Sequence, residues 1–314
     1  MPDGMITAYY LLAGSVLLWF GAETFVRCSS ALALRLGLTP LVVGLTVVAF
    51  GTSAPELGVS LISAFRGLGD VATGNVVGSN IANVGLILGL AALVKPIRIE
   101  AQLLRLDLPL VVAASLLVTL LFGDGMLSRV SGVLLVLLLI GYVVLSLRKA
   151  KLDVEFETSG FGEQARRRPV GIVIGLAAFG LTMLIMGSFA FVNGAEDLAI
   201  RLGVSPAIVG LTVVAVGTSL PEAATSIVAA WRGQGEIALG NVVGSNMFNL
   251  LAILGITSTI SPLTRGGVSM VSFGVMILFA ALLIPMMKTG MRISRWEGAG
   301  LIAAYVAYLA WLLP

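Results

Sequence analysis

Apolar runs of about 20 residues, each long enough to cross a lipid bilayer as a helix, recur along the whole of this 314-residue chain. Inside hydrocarbon no water serves unpaired N–H and C=O groups, so such a chain is restricted to helices or a closed barrel. The runs are continuous and do not alternate, which removes the barrel. Composition agrees: 58% of the residues are hydrophobic, 11% are charged and the mean hydropathy is +1.06, against about a quarter charged in a soluble domain. The reading is an all-α integral membrane protein with ten transmembrane helices, near 5–26, 40–65, 71–94, 106–122, 127–147, 170–192, 206–230, 237–260, 268–287 and 296–313.

One stretch of the chain is written twice. Gly51-Thr52-Ser53-Ala54-Pro55-Glu56 returns as Gly217-Thr218-Ser219-Leu220-Pro221-Glu222, and Gly74-Asn75-Val76-Val77-Gly78-Ser79-Asn80-Ile81-Ala82-Asn83 as Gly240-Asn241-Val242-Val243-Gly244-Ser245-Asn246-Met247-Phe248-Asn249. A single offset, the one that carries Glu56 to Glu222, aligns Arg35–Gly89 with Arg201–Gly255 at roughly three identities in five, well above chance for an internal repeat. The chain then divides into a first five-helix repeat, 1–147, with motif helices 2 and 3; a linker, 148–169; and a second five-helix repeat, 170–314, with motif helices 7 and 8. Five is odd, so the second copy enters the membrane upside down. This inverted arrangement places sites near the midplane, at the repeat interface.

All Lys and Arg except Arg66, Arg129, Arg201 and Arg265 fall in loops on one side. By the positive-inside rule that side is cytoplasmic and both termini are extracytoplasmic. The first run lacks a basic n-region and a small-residue cleavage site, so it reads as a retained helix. Glu23 and Arg27 are spaced to pair across one turn, and the link from Arg27 to Thr39 reads as amphipathic, ending at Pro40, a first-turn proline for helix 2. Pro206 repeats that entry. Arg66-Gly67-Leu68-Gly69-Asp70 makes helices 2 and 3 a hairpin, while helices 4 and 5, around Gly123-Asp124-Gly125, are Leu/Val-rich, show no polar cluster and read as lipid-facing scaffold. The linker, with mixed charge, is too short for a sensor domain.

There is no His and the only Cys is Cys28, so a Cys/His metal site is excluded and any cation must meet oxygen. Each motif is built to break a helix: Pro55 and Pro221 cannot bond the carbonyls of Gly51 and Gly217 and crowd them. Thr52, Ser53 and Glu56, like Thr218, Ser219 and Glu222, gather on one turn, and Ser79/Asn83 and Ser245/Asn249 are each one turn apart. Gly74, Gly78, Gly240 and Gly244 read as positions of close helix packing. A mid-span carboxylate costs several kcal/mol unless paired, and no Lys or Arg shares the spans of Glu56 and Glu222. A bound cation is the economical partner; two carboxylates with neutral oxygens suit Ca²⁺ or Na⁺ over soft metals.

At these motifs the sequence resembles the cation/Ca²⁺ exchanger superfamily, specifically the prokaryotic Na⁺/Ca²⁺ exchangers, whose two α-repeats the doubled text matches. The resemblance implies antiport of three Na⁺ against one Ca²⁺ as helices 1 and 6 slide across the other eight. Carried over, Glu56 and Glu222 hold Ca²⁺ with the backbone carbonyls of Thr52 and Thr218. Flanking Na⁺ sites use Ala49, Thr52, Ser53, Glu56 and Ser79 on one side and Ala215, Thr218, Ser219, Glu222 and Ser245 on the other, with Asn83 and Asn249 closing the centre. At the position of Asn249 some prokaryotic members and the K⁺-dependent exchangers carry Asp. Asn there resembles the K⁺-independent exchangers and argues against K⁺ cotransport.

Two other readings compete. A proton-coupled Ca²⁺ antiporter on the same fold would use Glu56 and Glu222 as proton carriers. An intramembrane phosphohydrolase would need a nucleophile, a base and an Arg clamp, and no Arg lies in the motif helices. The expectation is a transporter of the cell membrane with Ca²⁺ and Na⁺ as substrates, the bilayer as its surroundings, and no cofactor, nucleic acid or obligatory protein partner.

Overall fold

The computed structural model describes residues 3–150, 168–202 and 215–312. They fold into helices: α1, Asp3–Leu36; α2, a bent pair of Pro40–Thr52 and Ala54–Phe65; α3, Gly69–Val94; α4, Leu103–Leu121; α5, Arg129–Ala150; α6, Val170–Arg201; α7, Ala215–Thr218 and Leu220–Trp231; α8, Gly235–Ile260; α9, Met270–Lys288; and α10, Arg295–Leu312. Among the described residues seven of these are long and apolar enough to cross a membrane, or eight when α2 is taken as one bent span. The ten spans expected from sequence are thus not all carried by that count: α10 has Arg295 and Glu297 in its first turn, and α7 is described only from Ala215. Most of the linker, 151–167, and the expected helix entry at Pro206 lie outside the described residues.

Two expectations are corrected. The first helix does not end near residue 26; α1 continues through the expected link to Leu36, because no Gly or Pro interrupts 22–36 and the helix ends only at Gly37, whose φ of +62° suits glycine. The Leu38 N–H closes that end on the Ala33 carbonyl at 3.0 Å. Nor are α4 and α5 free of buried polar groups. Asp107 is fully buried at the start of α4, and the Tyr142 hydroxyl of α5 donates to it at 3.2 Å. Other readings hold. Thr39 caps Pro40–Val43, its hydroxyl accepting from the Val42 N–H at 3.2 Å, and Arg27 meets Glu23 at 2.7 Å. Arg232 reaches the same carboxylate at 2.8 Å and ties α1 to the turn between α7 and α8.

The two copies are exchanged by the paired loop segments. β1 (Ile97–Arg98) pairs antiparallel with β4 (Arg292–Ile293), and β2 (Met126–Leu127) with β3 (Leu263–Thr264). The repeat offset carries β1 to β3 and β2 to β4, so each pairing is the image of the other with the halves swapped.

Close approach of backbones depends on glycine. Along α1 and α6, which run antiparallel, a Cβ at Gly14, Gly21, Gly180, Gly187 or Gly194 would meet atoms of the opposing helix at 2.6–2.9 Å. α2 and α8 touch the same way: a Cβ at Gly240 would lie 2.6 Å from the Leu41 carbonyl and one at Gly244 2.5 Å from that of Leu45. The packing role read for Gly240 and Gly244 is therefore observed. At Gly74 and Gly78 no comparable contact occurs among the described residues. Gly187→Val is expected to destabilise the protein by about 1–3 kcal/mol, the usual cost of overpacking, as read by thermal unfolding in detergent. Gly175→Val, in the same helix with nothing within 4 Å of its added Cβ, should leave the unfolding midpoint almost unmoved.

Candidate cation site

The site begins with two broken helices. α2 bends by 44° at Ser53, whose φ of −82° and ψ of 6° leave the helical region, and Pro55 sits just beyond, where the absence of an N–H costs nothing. Ser219, with φ −88° and ψ 8°, and Pro221 repeat this in α7. Each break makes a new helix N-terminus inside the protein, and Glu56 and Glu222 occupy the first turn of the helices that start there. The positive end of a helix dipole favours a carboxylate at that place.

The two copies then serve each other's carboxylates. Ser53 Oγ donates to Glu222 Oε1 at 2.9 Å, and Ser219 Oγ donates to Glu56 Oε1 at 3.0 Å, with Ser79 Oγ 3.3 Å from that hydroxyl. Both glutamates are 1% exposed. Among the described residues their second oxygens, Glu56 Oε2 and Glu222 Oε2, are buried with no hydrogen-bond partner, and so is Ser245 Oγ. The backbone behind each glutamate is held by an asparagine: Asn75 Nδ2 donates to the Glu56 carbonyl at 3.2 Å and to Ser60 Oγ at 3.1 Å, Asn241 Nδ2 to the Glu222 carbonyl at 3.3 Å and to Ser226 Oγ at 2.9 Å. Thr52 Oγ1 lies 3.0 Å from Asn241 Oδ1, across the repeat boundary.

A second network joins α3 to α8. Asn83 Nδ2 donates to Asn246 Oδ1 and Asn249 Nδ2 to Asn80 Oδ1, each at 3.0 Å. Asn83 and Asn249 each begin a π-helical turn, Asn83–Leu88 and Asn249–Ile253. Their own Oδ1 atoms are buried and have no partner among the described residues. An acceptor oxygen buried without a donor is costly, and here two carboxylate and two amide oxygens share that condition on the motif helices. The donor set is hard oxygen throughout, which fits a Ca²⁺- or Na⁺-like cation. Among the described residues no three His, Cys, Asp or Glu side chains gather as a metal cluster, so neutral oxygens must complete any shell.

The structure thus brings together Glu56, Glu222, Ser53, Ser219, Ser79 and Thr52, and links Asn83 and Asn249 through a neighbouring network. Ser245 is buried one turn before Asn249, Ala49 is buried against Gly244, and Thr218 is half-buried at the end of Ala215–Thr218, the helix that also carries Ala215. Sequence reasoning missed Asn75 and Asn241, and Asn80 and Asn246. Their identity in both copies was the available signal.

The model of the family described as sodium/calcium exchanger protein matches residues 6–148 and 172–313. A protein of Alkalimonas amylolytica named as antiporter CaxA is 36% identical over 97% of this chain and 98% of its own length. Sodium/calcium exchanger MaX1 of Methanosarcina acetivorans is 36% identical over 97% of the chain and 98% of its own. Among solved structures, that of the sodium-calcium exchanger NCX_Mj soaked with zero Na⁺ and Ca²⁺ superposes with a TM-score of 0.86 at 31% identity, covering 98% of both chains.

Ser53→Ala or Ser219→Ala removes a donor from a buried carboxylate, and each is expected to lower stability in cation-free buffer by about 1–3 kcal/mol. Thermal unfolding checks this against Ser15→Ala, whose hydroxyl only bonds its own helix at an exposed position.

Proposed function

The chain belongs to the sodium/calcium exchanger protein family, membrane cation/Ca²⁺ antiporters and not enzymes, and from that membership we propose that it exchanges Na⁺ for Ca²⁺, three to one, by alternating access. The observation that carries the reading is the pair of buried glutamates, each with one oxygen held by the other repeat's serine and one oxygen bare. Two such charges balance one divalent ion. Drawing on flanking hydroxyls and carbonyls, the same oxygens accommodate several monovalent ions instead, and sharing of ligands is what makes the two loads exclusive.

In this reading Glu56 and Glu222 hold Ca²⁺ with the carbonyls of Thr52 and Thr218. Ala49, Ser53 and Ser79 serve Na⁺ on one side, Ala215, Ser219 and Ser245 on the other, and Asn83 and Asn249 stand at the centre. The chain crosses the cell membrane ten times as two inverted five-helix repeats with both termini extracytoplasmic. The swapped strand pairings and reciprocal serine–glutamate bonds support a two-fold relation of the halves. The glycine seam supports movement of α1 and α6 as one body, since backbones this close slide together more readily than past each other.

The test is ⁴⁵Ca²⁺ uptake into proteoliposomes loaded with Na⁺ and diluted into Na⁺-free medium, beside choline-loaded vesicles under a pH gradient. Uptake in the Na⁺-loaded vesicles alone, faster when a K⁺ diffusion potential favours the charge movement of three-to-one exchange, is the expected result. Uptake driven by the pH gradient alone overturns Na⁺ coupling and makes the two glutamates proton carriers. Glu56→Gln and Glu222→Gln should each reduce uptake to that of empty liposomes while the protein still elutes as a single folded species.

A further inference from the structure

An asparagine facing a cation has a right and a wrong way round, because one end of its amide accepts and the other donates. Asn83 and Asn249 sit one turn beyond Ser79 and Ser245 on the same helix faces, and Ser79 Oγ is 3.3 Å from the hydroxyl that holds Glu56. Their amide nitrogens are directed away into the α3–α8 contact, onto Asn246 Oδ1 and Asn80 Oδ1 at 3.0 Å. Their oxygens are left buried, with no hydrogen-bond partner among the described residues. Asn80 is itself oriented: its Nδ2 lies 3.6 Å from Met276 Sδ, so its oxygen is the end that faces Asn249. Asn80 and Asn246 are 2% and 3% exposed, so each amide meets a buried protein oxygen as its acceptor.

We propose that Asn80 and Asn246 are positioning residues that fix the polarity of the two central amides, so that Asn249 and Asn83 present oxygen and never N–H to the transported cation. The proposal rests on the cation reading given under Proposed function. It also accounts for the chemistry at position 249. Asn80 offers an acceptor there, which an amide can answer with its N–H and a carboxylate cannot; the pair is built for a neutral ligand.

The experiment is equilibrium binding of ⁴⁵Ca²⁺ to detergent-solubilised protein in Na⁺-free buffer, arranged as a double-mutant cycle. Asn80→Leu is expected to weaken binding by about tenfold or more, the range for loss of an outer-shell partner. Asn249→Asp presents oxygen whichever way it turns, so adding Asn80→Leu to Asn249→Asp should cost little further affinity. The mirrored cycle, Asn246→Leu with Asn83→Asp, should behave alike. A role of Asn80 in packing alone gives the same loss on both backgrounds, and that result, or wild-type binding in Asn80→Leu, overturns the proposal. Should Asn80→Leu fail to fold, Asn80→Ala takes its place with the same expectations. If the wild-type protein binds no ⁴⁵Ca²⁺, the cation reading fails and the proposal falls with it; wild-type binding undiminished by Asn80→Leu removes the positioning role alone.

Discussion

Two carboxylates taken out of water at the centre of a membrane protein set the terms for everything around them. Stripping hydration from an ionised group costs several kcal/mol even after relaxation, and Glu56 and Glu222 are both 1% exposed. No cationic side chain from their own helices answers them. What answers are hydroxyl groups, among them a serine of the opposite repeat for each, a helix N-terminus behind each carboxylate, and a surrounding set of neutral oxygens. That solution leaves one oxygen of each glutamate without a hydrogen-bond partner among the described residues, whereas a permanent Arg or Lys partner would have consumed it.

The backbone makes this possible by failing in the right places. A continuous helix has no free N–H groups in its interior; the breaks at Ser53 and Ser219 create N-termini at depth, and the prolines two residues on tolerate those positions because an N–H is not needed there. Broken backbone must be buried in protein to survive in a membrane. The glycine contacts of α2 with α8 and of α1 with α6 bring backbones near enough for that enclosure.

The halves differ in places: at the centre Ser79 Oγ meets the Ser219 hydroxyl at 3.3 Å while its mate Ser245 Oγ has no such contact among the described residues, and further differences lie outside it. The offset carries Tyr142 to Tyr308: Tyr142 donates to buried Asp107 at 3.2 Å, whereas Tyr308 donates to Ser272 at 3.1 Å. Arg232 pairs with Glu23 on α1, but Arg66, its mate, has Phe189 at the corresponding place on α6. The reciprocal bonds of serine to glutamate and asparagine to asparagine keep the same partners in both directions. Symmetry is retained in these reciprocal bonds between the repeats and relaxed where each copy meets its own surroundings.

Membrane residence, the duplication, the helix breaks and the oxygen-bearing residues were legible in the amino-acid sequence, because each follows from a local rule. Twenty apolar residues span a bilayer, proline interrupts the turn before it, and residues four apart share a face. The full length of α1, the burial of Asp107, the crossing of each serine to the other repeat's glutamate and the direction of the central amides were decided only in three dimensions. These depend on which groups meet after the chain has come back on itself, as Ser53 and Glu222 do from opposite halves. Periodicity places a side chain on a face, but the partner that fixes its polarity arrives from another helix.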